Sequence, residues 1–145
     1  MTSSSLTQGI DHVGLTVRDL NRTRDFFISC LGWKQVGERP AYPAAFVSDG
    51  HITLTLWEVK DHGNAVGFDR RANIGLHHLA LRVADEQSLV DIVERIAAWP
   101  DTTIEFTPEL LGQGPKKHAM VYEPSGIRLE FTCDPTAHSG ANGAG

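Results

Sequence analysis

Hydrophobic and polar residues alternate from His78 through Val83. Leu79, Leu81 and Val83 fall on one side, and His78, Ala80 and Arg82 on the other. That period of two predicts a strand with one buried face, and aims the histidine at a cleft or at solvent. The same pattern runs through residues 11–19, where His12 aligns with His78, Leu15 with Leu81, Val17 with Val83 and Asp19 with Asp85. The chain therefore reads as two copies of one unit, each opening on a cleft-facing histidine.

The first copy predicts a strand at residues 10–18 and a helix capped by Asp19 or Asn21. That helix carries Phe26, Phe27, Cys30 and Leu31 and ends at Gly32. Strands follow at 33–36, 44–48 and 52–59, with a loop at 37–43 and a tight turn at Asp49-Gly50. Residues 60–73 are polar and form a connector. The second copy predicts a strand at 77–84 and a helix capped by Asp85. Its buried stripe is Leu89, Val90, Ile92, Val93, Ile96 and Ala97, and it ends before Pro100. Further strands fall at 103–106, 118–122 and 127–132, with a loop at 108–117 and a turn at Glu123-Pro124-Ser125-Gly126. The expected organisation is one domain over 9–133, made of module one (9–59), the connector (60–73) and module two (74–133). Residues 1–8 and 134–145 are expected to be flexible termini.

The repeat extends to the final hairpins. Residues 46–56 slide under residues 121–131 without a gap, so that Ile52 meets Ile127 and Leu54 meets Leu129. The offset is 66 at the first strands and 75 here. About nine extra residues are therefore expected in module two, most naturally in the 108–117 loop.

The length of 145 residues suits one globular domain. A net charge of −5, with no basic cluster, points away from nucleic acid. The sequence shows no apolar stretch of transmembrane length and no signal peptide, and its two cysteines form no disulfide framework. These features predict a cytoplasmic protein without a membrane partner.

On the last strand Ile127, Leu129 and Phe131 face the core, which turns Arg128, Glu130 and Thr132 the other way. Glu130 thus shares the orientation of the histidines. A lone strand histidine is more often an ordinary polar residue. Two histidines at equivalent repeat positions, with a carboxylate set into an apolar strand, make a facial ligand set for Fe(II), Mn(II), Ni(II), Co(II) or Zn(II). Trp57 and Thr53 share the face of Thr55 and line the same cleft. Cys30 and Trp33 are read as packing residues. His77, one residue before His78, is expected on the opposite face in a structural role. The direction of His118 stays open.

The segment His12-Val13-Gly14-Leu15-Thr16-Val17-Arg18-Asp19-Leu20, then Phe26-Phe27, Leu31-Gly32-Trp33, Gly75-Leu76-His77-His78-Leu79-Ala80 and Glu123-Pro124-Ser125-Gly126-Ile127-Arg128-Leu129-Glu130-Phe131, resembles the vicinal-oxygen-chelate superfamily. That superfamily includes glyoxalase I, extradiol dioxygenases and the fosfomycin- and bleomycin-resistance proteins. The resemblance covers residues 9–133. It implies an α+β fold of two βαβββ modules, whose mixed sheet curls around a cleft with the helices outside. It also implies a divalent metal held by His12, His78 and Glu130, a small-molecule substrate and a homodimer. The fourth ligand position falls on Thr55, where glyoxalase I carries a glutamate that threonine cannot replace as a base. Glu130 and His118 are the expected catalytic groups, and Thr55, Trp57 and Arg128 line the substrate cleft. The expected activity is polarisation of neighbouring substrate oxygens in lyase-, isomerase- or conjugation-type chemistry. The alternatives are an Fe(II) ring-cleaving dioxygenase and a non-catalytic drug- or metabolite-binding resistance protein, the latter generally lacking these ligands.

Overall fold

A computed structural model of the chain describes residues 4–137. The expected termini at 1–3 and 138–145 lie outside the described residues. The chain divides into two compact units that meet in sequence between His62 and Gly63. Each contains a four-stranded mixed sheet with a helix inserted after its first strand. This is the α+β, twice-repeated βαβββ arrangement that the alternation predicts.

In the first unit β1 (His12–Val17) leads to α1 (Leu20–Asp25), which continues as a wider π turn over Phe26–Cys30. Asp19 caps the helix by accepting the Arg22 amide, and Gly32 follows it at φ +80°. Strands β2 (Lys34–Arg39), β3 (Ala44–Ser48) and β4 (Thr53–Glu58) complete the sheet in the order β1-β4-β3-β2, with β1 and β4 parallel. Leu15, Val17, Val47, Leu54 and Leu56 are buried, as are Phe26 and Phe27, and form the core of this unit. Trp33 is buried against Phe27 with ring centroids 5.0 Å apart, as its packing role required.

The second unit repeats the design. It is built from β5 (Leu79–Arg82), α2 (Glu86–Ala97), β6 (Thr103–Leu110), β7 (Lys117–Tyr122) and β8 (Arg128–Cys133), in the order β5-β8-β7-β6. Asp85, the repeat equivalent of Asp19, caps α2 through the Ser88 amide. Only Leu89, Val93 and Ile96 of the expected stripe are buried. Val90 and Ala97 are exposed, because a spacing of four and three residues fills a single narrow face. Each of those three buried side chains contributes about 1.5–3 kcal/mol relative to exposure.

Three expectations are corrected. The second strand of each unit runs further than predicted: β2 extends to Arg39 and β6 to Leu110. Pro108 sits inside β6, where the register to β7 shifts between Phe106 and Glu109, and an edge strand tolerates the missing donor at such a bulge. The extra residues of module two are also dispersed rather than gathered in one loop. Lys34 opposite Ser48 corresponds to Thr103 opposite Tyr122, an offset already of 69, and the third strands stand at 74.

The last extra residue lies in the final hairpin and breaks the gapless alignment. Ser48 pairs with Thr53 across four residues, whereas Tyr122 pairs with Arg128 across five. In the first turn Asp49 accepts the His51 and Ile52 amides; in the second the buried Glu123 accepts those of Ser125 and Ile127. Glycines at φ +94° (Gly50) and +88° (Gly126) complete the two turns.

Candidate metal and substrate site

The parallel strand pairs position the site residues. Gly14 lies opposite Thr55, and Ala80 opposite Glu130. Thr55 and Glu130 therefore occupy equivalent places beside the histidine-bearing strands of their two units. Gly14 has no side chain to crowd Thr55; a Cβ there would stand 3.1 Å from Thr55 Oγ1.

In the first unit His12, Thr55 and Trp57 line one open groove of about 460 Å³, together with Thr53 and Phe46. The groove thus joins all four predicted residues of this unit, His12, Thr53, Thr55 and Trp57. Trp57 Nε1 donates to Thr55 Oγ1 at 2.9 Å, so the threonine is already engaged by the indole. His12 is about half exposed, and its Nδ1 lies 2.7 Å from Asp11 Oδ2.

In the second unit Glu130 is buried between two imidazoles. His78 Nε2 stands 3.3 Å from Oε1, and His118 Nδ1 stands 2.5 Å from Oε2. A carboxylate only accepts hydrogen bonds, so His118 Nδ1 carries the hydrogen. The imidazole of His118 packs on Phe106 with centroids 4.8 Å apart, and its Nε2 lies 4.0 Å from Glu109 Oε1.

Arg128, expected to line the cleft, is buried in a two-pronged pair with Glu105. Nε and Nη2 donate at 2.9 and 2.8 Å. Tyr122 donates to the same carboxylate at 2.7 Å, and Arg70 donates to the Tyr122 hydroxyl at 2.8 Å. These contacts, led by the hydrogen bonds from Arg128, hold the Glu105 carboxyl down at about 2. Burial and then the bond to Glu105 push the Tyr122 phenol up. Sequence reasoning missed Glu105. Its one signal was a carboxylate set between Ile104 and Phe106.

The expectation for His77 is corrected as well. Its Nδ1 lies 2.8 Å from His78 Nδ1 and 3.4 Å from Arg128 Nη1, so it joins the same polar surface. Both histidines precede β5, and the strict alternation of a strand does not yet apply to them. Burial, followed by the charges of His78 and Arg128, lowers the basicity of His77.

The donor set of the second unit suits a divalent cation. Two donor atoms, each about 2.1 Å from a zinc-like ion, stand about 3.3 Å apart when they subtend about 105° there. That is the separation between His78 Nε2 and Glu130 Oε1. Among the described residues no group of three or more His, Cys, Asp or Glu side chains is arranged to hold a metal ion. The pair would supply two donors to such an ion.

Comparison with known proteins completes the picture. No curated protein matches the sequence. A glyoxylase/bleomycin resistance protein/dioxygenase domain from Frankia sp. EAN1pec superposes with a TM-score of 0.75 at 26% identity, covering 91% of this chain and 96% of that one. The fosfomycin resistance protein FosX from Listeria monocytogenes gives 0.70 at 17% identity over 90% and 97%. Lactoylglutathione lyase from Agrobacterium tumefaciens gives 0.67 at 16% over 89% and 96%. The last two show the fold alone. The family model of the Glyoxalase/Bleomycin resistance protein/Dioxygenase superfamily matches residues 9–131, nearly all of the folded repeat, and the chain belongs to that superfamily.

Proposed function

We propose that the protein is a metal-dependent enzyme acting on a small molecule with two neighbouring oxygens. His12, His78 and Glu130 are its metal ligands, and the cation is one of Fe, Mn, Ni, Co or Zn. The spacing of His78 Nε2 and Glu130 Oε1 is the observation that carries this reading. When bound, the cation supplies Lewis-acid stabilisation of negative charge on the substrate oxygens.

The chain's own residues supply orientation and proton handling. His118 occupies the second oxygen of Glu130 and so fixes the carboxylate, leaving Oε1 toward His78. With Nδ1 held by Glu130, the Nε2 of His118 is the nitrogen left to take up or release a proton. Thr55 puts no carboxylate into the site, so a position filled by glutamate in glyoxalase I is left to substrate. Trp57 and Phe46 make the groove beside His12 partly apolar, which favours a substrate with an apolar flank next to its oxygens. This set favours lyase- or isomerase-type proton transfer.

The test is elemental analysis of protein purified without chelator, followed by a panel of dicarbonyl–thiol conjugates, catechols and epoxides. The expected result is one divalent ion per chain and turnover of an epoxide or of a dicarbonyl conjugate other than the methylglyoxal–glutathione adduct. Catechol ring cleavage would establish the dioxygenase reading instead, and tight ligand binding without turnover the resistance-protein reading. We further propose a homodimer, because each four-stranded sheet ends in two edge strands that pairing can cover. Sedimentation at micromolar concentration giving monomer alone overturns it.

A further inference from the structure

A chain of one-way hydrogen bonds runs along the second unit and ends on His78. Arg128 is held from one side by Glu105, with contacts of 2.8 and 2.9 Å, and presents Nη1 to His77 Nδ1 at 3.4 Å. A guanidinium has donors and no acceptor, so His77 Nδ1 must accept. The same His77 nitrogen lies 2.8 Å from His78 Nδ1. A nitrogen that accepts carries no hydrogen to donate, so His78 supplies the hydrogen of the 2.8 Å contact. The one lone pair of His77 Nδ1 is shared with the longer contact from Arg128. His78 therefore carries its hydrogen on Nδ1, and its Nε2 bears a lone pair. This tautomer is assigned by the bonding network. A lone pair on Nε2 facing the carboxylate oxygen of Glu130 at 3.3 Å is repulsive unless a cation stands between them.

The first unit solves the same problem with other chemistry. Asp11 occupies the repeat position of His77, one residue before the histidine, and lies 2.7 Å from His12 Nδ1. A carboxylate only accepts, so His12 is also left with its lone pair on Nε2. Two different residues at one repeat position impose one tautomer.

We propose that Glu105, Arg128 and His77 are positioning residues that lock His78 in its Nε2-ligating tautomer, with Asp11 doing the same for His12. The role in metal affinity rests on the proposed metal site; the tautomer does not. Simple charge and the lock predict opposite signs for one variant. Arg128 is a cation near the site, so its removal on charge grounds alone would tighten binding of a divalent ion. Under the lock, Arg128→Met loosens it, because His78 is then free to place its hydrogen on Nε2 and donate to Glu130.

The experiment uses ¹⁵N-labelled, metal-free protein at pH 8, with His78 assigned by its loss in His78→Gln. Long-range ¹H–¹⁵N spectra report the tautomer, and Zn(II) or Co(II) titration against a competing chelator reports affinity. Wild type is expected to show His78 protonated on Nδ1. In Arg128→Met and in His77→Phe, which changes an exposed residue, the signal is expected to move toward the Nε2-protonated form. Zn(II) affinity should fall about tenfold in both, and Arg128→Lys should restore part of it. Wild-type His78 protonated on Nε2, or an unchanged tautomer in folded His77→Phe, overturns the lock even if the metal binds tightly. A tautomer that shifts as expected in a protein that binds no metal upholds the lock and removes the proposed function instead.

Discussion

His118 and Glu130 stand on adjacent antiparallel strands and point to the same face, with Nδ1 of the imidazole 2.5 Å from the carboxylate. The contact ties up one oxygen of Glu130 and leaves the other beside His78. The orientation of Glu130, and with it the proposed metal binding and proton transfer, therefore rests on this one contact.

Replacing Glu130 with Ala removes a proposed ligand while leaving the apolar face of β8, Leu129 and Phe131, in place. Metal occupancy should fall by about 100-fold, with the circular-dichroism spectrum unchanged. Full occupancy in Glu130→Ala, measured by elemental analysis, would show that the carboxylate is not a ligand.

The substitution Thr55→Glu offers the proposed metal a fourth donor where Gly14 leaves room and where Trp57 now holds the hydroxyl. Metal affinity should rise about tenfold, and turnover of the methylglyoxal–glutathione adduct should appear or increase. A native reaction that uses the proposed open position should slow. Wild-type protein that already processes this adduct efficiently, and keeps doing so in His118→Ala, contradicts the role assigned to Thr55.

Glu105 makes stability depend on acid. Its folded carboxyl is held at about 2 against an ordinary 4.5, chiefly by hydrogen bonds from Arg128. A depressed value means the stabilisation is full above about 4.5 and is lost as pH falls toward about 2. Because Glu105 is partly exposed, solvent screening reduces its contribution at neutral pH to about 1–2 kcal/mol. Urea unfolding should show Glu105→Gln less stable than wild type at pH 6, with the gap shrinking by about 1 kcal/mol at pH 3. An equal gap at both pH values would mean that Glu105 acts through packing alone.

Gly37→Ala tests the edge of the first sheet. A Cβ at that position would meet Phe46 Cδ2 at 2.7 Å, and Phe46 forms a wall of the groove beside His12. The ring must move, costing about 1–2 kcal/mol and lowering the melting temperature by about 4 °C. An unchanged melting curve would show that the ring adjusts freely.

The sequence by itself determined the repeat, the two helix caps and the faces of the strands. Each is a local matter, set by a period of two, by an aspartate before a helix or by a glycine at a turn. The pairings Gly14–Thr55 and Ala80–Glu130 bear out the alignment of the first and last strands, because a strand's register carries all its residues together. The direction of His118 was another matter. Under the gapless alignment Glu130 would face Val121, and His118 would lie opposite Cys133, turned into the core. The one additional residue in the turn after Tyr122 slips β7 against β8 and sets His118 opposite Thr132, on the side of Glu130. A slip of one residue reverses every side chain on a strand. No local pattern records it, because the spacing between strands is fixed only when their backbones pair. Likewise, a lone Glu105 in an edge strand and a histidine just ahead of β5 show no periodicity of their own. Only the folded sheet brings them to Arg128.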